Sequence, residues 1–380
     1  MQSLHKFRLL DRPLAPAHFV LTGSVAPPLQ QTAGESLAGR MNTIEMSGFT
    51  LDELEPDSVP RLWWRGGLPP AYLAETDEFS SRWRTQYIRH VLDADLNQLV
   101  DTKLDSSQLQ RMARALAHYN GQVWNESEVA QIVGTTPRTI SRYMDVFWRL
   151  LHVRRLEPLH TNVAKRLRNA PKLLFRDCGI AHALLGIESV APLQQHPRMG
   201  ASWEAFVVDQ LIRLLGVSEN RCTHYAVHLG AEMDHVIEGA DGLICFDVKF
   251  APPSMTQSIR SVITDLKPLT VYALYMGNRD YPLAGKDEPF RAFGVHNLPQ
   301  LATQLREKHQ LHLLFDRAAV CAPFEAQGRR FSGYGAGFIA SSPCPASLGV
   351  PGTLNSGAQA TSAYWHFDVG SGFFFDFQLW

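Results

Sequence analysis

From Gly200 to Leu214, apolar side chains return every three or four residues: Trp203, Phe206, Val207, Leu211 and Leu214, with Gln210 on the same line. That period predicts a helix with one apolar stripe turned to a core. Two later stretches, Gly230 to Glu238 and Gly242 to Phe250, are rich in β-branched and aromatic residues with glycine at their edges, and they predict strands. A turn across Gly239 to Gly242 would pair them as a hairpin. His296 to Leu305 predicts a closing helix with Leu298, Leu301 and Leu305 on one side.

Upstream, Leu62-Trp-Trp-Arg-Gly-Gly-Leu-Pro-Pro70 predicts a turn-rich linker. Ser80 to Leu99 predicts a helix with Trp83, Tyr87, Val91, Leu92 and Leu99 on its apolar side. Gln108 to Tyr119 predicts another, ended by Asn120-Gly121. Val129, Ala130 and Val133 line a short helix that stops at Gly134. Thr136 caps the next, with Pro137 at its first position. There Ile140, Met144 and Phe147 turn inward, while Arg138, Thr139, Ser141 and Arg142 turn outward. This is a helix-turn-helix layout, in which the second helix enters a major groove. Basic residues outnumber acids from Arg138 to Arg176, Lys165 and Arg166 among them, and such a run attracts phosphate backbones. A protein-docking helix pair or a solvated basic face is the alternative. Asp177 reads as a turn or cap residue and the lone His196 as structural.

The chemistry gathers on the central frame. Glu204 lies on the helix, Asp234 on the first strand, and Asp247 and Lys249 on the second. Residues two apart on a strand share a face, so Asp247 and Lys249 point together. Two carboxylates on one face repel unless a cation separates them, and oxygen ligands favour a hard ion such as Mg2+. A lysine beside it stabilises phosphate charge or positions water. Together these are the parts of metal-assisted phosphodiester hydrolysis. The competing interpretation is an exposed ion pair on a strand face, worth little.

Composition narrows the picture only slightly. At 380 residues with 45% hydrophobic side chains, the chain has material for two or three domains. A net charge of -1 gives no global sign of nucleic-acid binding. Five scattered cysteines without paired metal spacing predict reduced thiols in a cytoplasmic protein. Neither a signal-peptide core nor an apolar run long enough for a bilayer is present in the sequence. From Phe331 onward only Asp368 and Asp376 are charged, and residues 313–380 read as a low-complexity, disordered tail.

Glu204, Asp234 and Asp247-Val-Lys249 resemble the PD-(D/E)XK nuclease pattern, with Asp247 where that pattern usually has Glu. The resemblance implies a restriction-endonuclease-like α/β core over residues 186–312: a helix, a three-stranded meander, a second helix at Pro253 to Leu266 and a returning strand at Thr270 to Met276. It implies Asp234 and Asp247 as metal ligands, with Glu204 and Lys249 completing the catalytic set. Leu21-Thr-Gly-Ser24 and Glu35-Ser-Leu-Ala-Gly-Arg40 resemble the late part of an AAA-type ATPase domain. Together with Leu62 to Pro70, Asn162 to Arg166 and Pro171 to Gly179, they resemble a group of uncharacterised prokaryotic AAA-type ATPases. Those carry a winged helix and a C-terminal domain of unknown function of the DUF4143 type. Residues 1–58 would then be a truncated ATPase remnant, with Thr22 or Ser24 as the sensor polar group and Arg40 as a phosphate-sensing arginine. Residues 59–185 would form the helical and winged-helix domain. No G-x-x-x-x-G-K-[ST] loop and no apolar strand ending in Asp-Glu occurs, so ATP use by this chain is not expected. The expectation is an α/β multidomain, DNA-associated protein with a Mg2+-dependent nuclease-like site. The alternative is a non-catalytic module that binds DNA, a partner protein or a second copy, away from membranes.

Overall fold

A computed structural model describes residues 47–92, 104–150, 152–160, 170–227, 230–283, 289–309 and 311, and strands at 330–334, 337–341, 364–366 and 376–378. Thr22, Ser24, Arg40, Lys165 and Arg166 lie outside the described residues. The chain divides into two units after Phe315. In the second, Arg330–Tyr334 pairs antiparallel with Gly337–Ser341, and Tyr364–His366 with Asp376–Gln378.

The first unit is mixed α/β. Its helices are α1 (Val59–Arg65), α2 (Pro69–Tyr72), α3 (Asp77–His90), α4 (Ser106–His118), α5 (Glu126–Val133), α6 (Pro137–Arg149), α7 (Cys178–Leu184), α8 (Val190–Gln195), α9 (Met199–Leu215), α10 (Gln257–Leu266) and α11 (Leu298–Lys308). Its strands are β1 (Gln122–Val123), β2 (Val153–Pro158), β3 (Lys172–Phe175), β4 (Cys222–Ala226), β5 (Glu232–Glu238), β6 (Leu243–Lys249), β7 (Thr270–Tyr275), β8 (Tyr281–Pro282) and β9 (Phe290–Gly294). They form one nine-stranded sheet in the order β1-β3-β2-β4-β5-β6-β7-β9-β8.

The hairpin expected across Gly239 and Gly242 forms. Gly239 N donates to Gly242 O at 2.9 Å, and β5 pairs antiparallel with β6, His235 opposite Phe246. After α10 the chain returns as β7, parallel to β6, with Lys249 opposite Tyr275. Strands from both sides of residue 185 share the sheet, because β2 pairs in parallel with β4 through Glu157 and Thr223.

Three sequence expectations change. The central helix α9 does not carry a single apolar stripe. Asp209 and Gln210 are buried with Trp203, Phe206 and Leu211. The polar groups are satisfied internally: Gln210 Oε1 accepts from Leu51 N at 3.0 Å, and Asp209 meets Arg154 and Arg213 at 3.3 and 2.7 Å. A helix enclosed on all sides must pair every polar atom it carries.

The stretch Leu62 to Pro70 is not a linker. α1 places Trp63 and Trp64 in the interior, where Trp63 packs edge-on to Trp203 at 5.3 Å. Gly66 turns at φ 78°, and a side chain there would strike the Asp177 carboxylate. Asp177 Oδ2 accepts from Gly67 N at 2.8 Å and Leu68 N at 3.1 Å, while Oδ1 caps α7 through Ile180 N. The Gly-Gly pair is thus a close-approach turn bound to a half-buried aspartate.

In α3 the buried side is not the aromatic one. Ser80 and Arg84 are enclosed, while Trp83 and Tyr87 are half-buried. The Arg84 guanidinium lies 4.6 Å from the Trp64 ring and donates to Trp64 O and Gly179 O at 3.2 and 2.9 Å.

Helices α5 and α6 follow the expected layout. Gly134 ends α5 at φ 76°, Thr136 Oγ1 caps α6 through Thr139 N, and Ile140, Met144 and Phe147 are buried. Arg138 and Arg142 are exposed, and Thr139 is half-buried.

Candidate functional site

The predicted residues converge beside β3. Asp234 Oδ2 accepts from Val248 N at 2.8 Å, so the β5 acid is fixed by the backbone of β6. Lys249 Nζ donates to Asp247 Oδ1 at 2.7 Å, as residues two apart on one strand face should. The end of β6 is anchored to the helix that carries Glu204, because Trp203 Nε1 donates to Lys249 O at 2.9 Å. Asp247 is buried, so the pair is not an exposed ion pair on a strand face.

The sequence reading did not single out Lys172. Its Nζ lies 2.7 Å from Glu204 Oε1, 2.9 Å from Glu232 Oε1 and 3.2 Å from Asp234 Oδ1, with the side chain 2% exposed. A signal was present: Lys172 opens the strand Lys-Leu-Leu-Phe, buried throughout. A lysine on such a strand must find carboxylates or lose its charge. Lys172 and two other residues of the basic run, Arg154 and Arg176, are buried in ion pairs, Arg176 with Glu219 at 2.7 Å. They do not add to a phosphate-attracting surface.

Lys172, Glu204, Glu232, Asp234, Lys249 and Gly200 at the start of α9 line a cleft of about 360 Å³ that Gly121, Gln122 and Phe250 also border, with Asp247 behind this lining. Gly121 is at φ 74°, and a side chain there would collide with Ala201 O, so glycine lets β1 approach α9 beside the cleft.

The electrostatics follow from crowding. Four carboxylates meet two amines, an excess of two negative charges when every acid is ionised. Burial, then the Asp234 charge, raises the Glu204 carboxyl to about 8 despite Lys172. The same two causes raise Asp247 to about 6. Burial also opposes charge on Asp234. There Lys172, Lys249 and the Val248 N–H outweigh it and hold the carboxyl below the usual carboxylate range. Burial disfavours the Lys172 ammonium, yet Asp234, Glu204 and Glu232 overcome that and strengthen its hold on the proton.

The donors are all oxygen, which suits a hard divalent ion. Asp247 Oδ2 is buried without a hydrogen-bond partner. An orphan acceptor beside an excess of two negative charges fits a divalent cation. Among the described residues, however, no three His, Cys, Asp or Glu side chains stand at metal-ligating spacing. Glu204, Glu232 and Asp234 close on the Lys172 amine instead.

Residues 199–295, which hold Glu204, Asp234, Asp247 and Lys249, match a known sequence family. It is the domain of unknown function DUF4143. Residues 56–191, which hold Lys172, match a second domain of unknown function, DUF8612. The cleft therefore joins the DUF4143 segment to a lysine from the segment before it. The chain is 38% identical over 277 residues to uncharacterized proteins of Mycobacterium bovis and Mycobacterium tuberculosis, a stretch covering 73% of this chain. It spans 62% of the length of each of these relatives. Among the described residues no helix is long and apolar enough to cross a membrane.

Proposed function

We propose that the DUF4143 cleft is a divalent-cation-dependent phosphodiesterase site of the PD-(D/E)XK type that acts on DNA. The observation that carries this reading is the meeting of Asp234, Asp247 and Lys249 at the end of β6, with Glu204 beside them. The order α9, β4-β5-β6, α10, β7 supports it as a restriction-endonuclease-like core. Asp234 and Asp247 would hold Mg2+, which when bound supplies a Lewis acid and a more acidic water. Lys249, half-exposed, faces the incoming phosphate and offsets charge that develops on it. The Val248 N–H keeps Asp234 oriented, and Glu204 would support the metal shell. Helices α5 and α6 act as the helix-turn-helix of a winged-helix region, presenting Arg138, Thr139 and Arg142 to the DNA backbone.

A second reading has its own support. The Lys172 amine already satisfies three of the acids, as a structural ion cluster would. The chain is then a non-catalytic module that binds DNA or a partner protein. Incubation of duplex and branched DNA with Mg2+ or Mn2+ separates the two. The enzyme reading requires cleavage that Asp234→Ala and Lys249→Ala both abolish. Equal cleavage by all three proteins would remove it, and binding without cleavage would favour the module.

A further inference from the structure

The three acids nearest Lys172 come from two elements, α9 and the first and third residues of β5. Only the Lys172 amine brings them to one point. It enters from β3, within the segment that precedes the DUF4143 domain. Asp247, on the neighbouring strand, keeps Oδ2 buried and unpartnered. Three of the acids are thus held by an internal cation.

We infer that Lys172 is a built-in counter-cation of the cleft, which a divalent metal displaces from Glu204 and Asp234 when it binds. This rests on the cation-dependent reading of the cleft and adds that the preceding segment controls metal occupancy. Lys172 is therefore a positioning residue: it holds the acids in place without metal and yields them with it. Two physical points support the exchange. An ammonium and a divalent ion both satisfy clustered carboxylate oxygens, but the second brings one more positive charge to a site where acids outnumber amines. Glu232 is half-exposed, so the amine has a partner toward which to withdraw.

The test compares Mn2+ binding by calorimetry in the full chain, in Lys172→Met and in Asp234→Asn. Loss of the competing amine is expected to lower the Mn2+ Kd of Lys172→Met by about tenfold or more. Mn2+ should also restore much of the thermal stability this variant loses. Asp234→Asn should bind weakly. A Kd in Lys172→Met equal to or above that of the wild type would overturn the exchange while leaving the cation-dependent reading intact. No Mn2+ binding to either folded protein would overturn both. Should Lys172→Met fail to fold, the wild type decides the matter. With 15N-labelled lysine, the Lys172 ammonium signal, assigned by its loss in Lys172→Arg, should shift as Mg2+ is added. A signal unmoved once Mg2+ binding saturates by calorimetry would refute the displacement.

Discussion

Asp234 on β5 accepts the backbone N–H of Val248 on β6 at 2.8 Å, a bond to its second oxygen that is separate from the Lys172 ion pair. An amide can occupy the same place. Asp234→Asn is therefore expected to keep the fold and lose DNA cleavage, as is Lys249→Ala, by about 10²–10³-fold, the usual effect of removing one charge-stabilising group. Glu204→Gln should cost less, about 10–100-fold, because Glu204 supports the metal shell rather than touching the phosphate. Nicking of supercoiled DNA in Mg2+ measures all three, with circular dichroism as the check on folding. Activity in Asp234→Asn within twofold of wild type would rule out the assigned role.

Arg84 offers a test of the packing free of the site. Its guanidinium lies over Trp64 and satisfies two buried carbonyl groups. Burial lowers its proton affinity, while Asp177 favours the charged form. Arg84→Ala leaves a void and takes one donor from each of two carbonyls, with an expected cost of about 3–5 kcal/mol. Denaturant unfolding would show this as a lower midpoint. A loss below about 1 kcal/mol, the scale of an ordinary surface change, would mean that the arginine is dispensable.

Stability should fall in mild acid. Burial lowers His182 and His235 to about 3, and His152 and His224 to about 4. These folded-state values lie below the unfolded value of about 6.5, so the unfolded chain takes up protons first as pH drops. Their stabilising contribution is complete above about pH 6.5 and declines below it. Glu204 and Asp247, raised to about 8 and about 6, work the other way, as does Asp177, raised by burial. The imidazoles outnumber them, so the net change runs toward unfolding, by about 1.4 kcal/mol per pH unit for each excess proton taken up. The urea midpoint should be lower at pH 5 than at pH 7. An equal or higher midpoint at pH 5 would contradict this.

DNA binding through α6 predicts a particular salt response. Arg138→Ala combined with Arg142→Ala should weaken binding similarly across sequences and lower the slope of log K against log salt by about 1 for each phosphate no longer neutralised. Fluorescence anisotropy on a labelled duplex reads both quantities. Unchanged affinity and slope would assign this face to something other than DNA.

Much of the fold was legible because periodicity reports burial directly. The positions of α9, β5, β6 and α11 follow from it, with the stop at Gly134 and the cap at Thr136 read from local residue type, while α10 and β7 were expected from the nuclease resemblance. Asp247 and Lys249 were legible as neighbours because strand geometry requires it. The rest depends on neighbours distant in the chain. Trp63 and Trp64 looked like part of a linker because Gly-Gly and Pro-Pro flank them, yet their core partners Trp203 and His182 lie more than a hundred residues on. Arg84 and Lys172 escaped notice because long cationic side chains are usually solvated. Only the carbonyls facing one and the carboxylates facing the other reveal their burial.

The parallel seam between β2 and β4 bears on how such a protein can be taken apart or rebuilt. It runs where one matched family segment hands over to the next, and it is made of backbone hydrogen bonds rather than a flexible tether. Severing the chain there would leave a raw strand margin on each fragment, a template for clumping. Shuffling either half onto an unrelated neighbour would meet the same obstacle, so the two segments must be inherited, expressed and engineered as one piece.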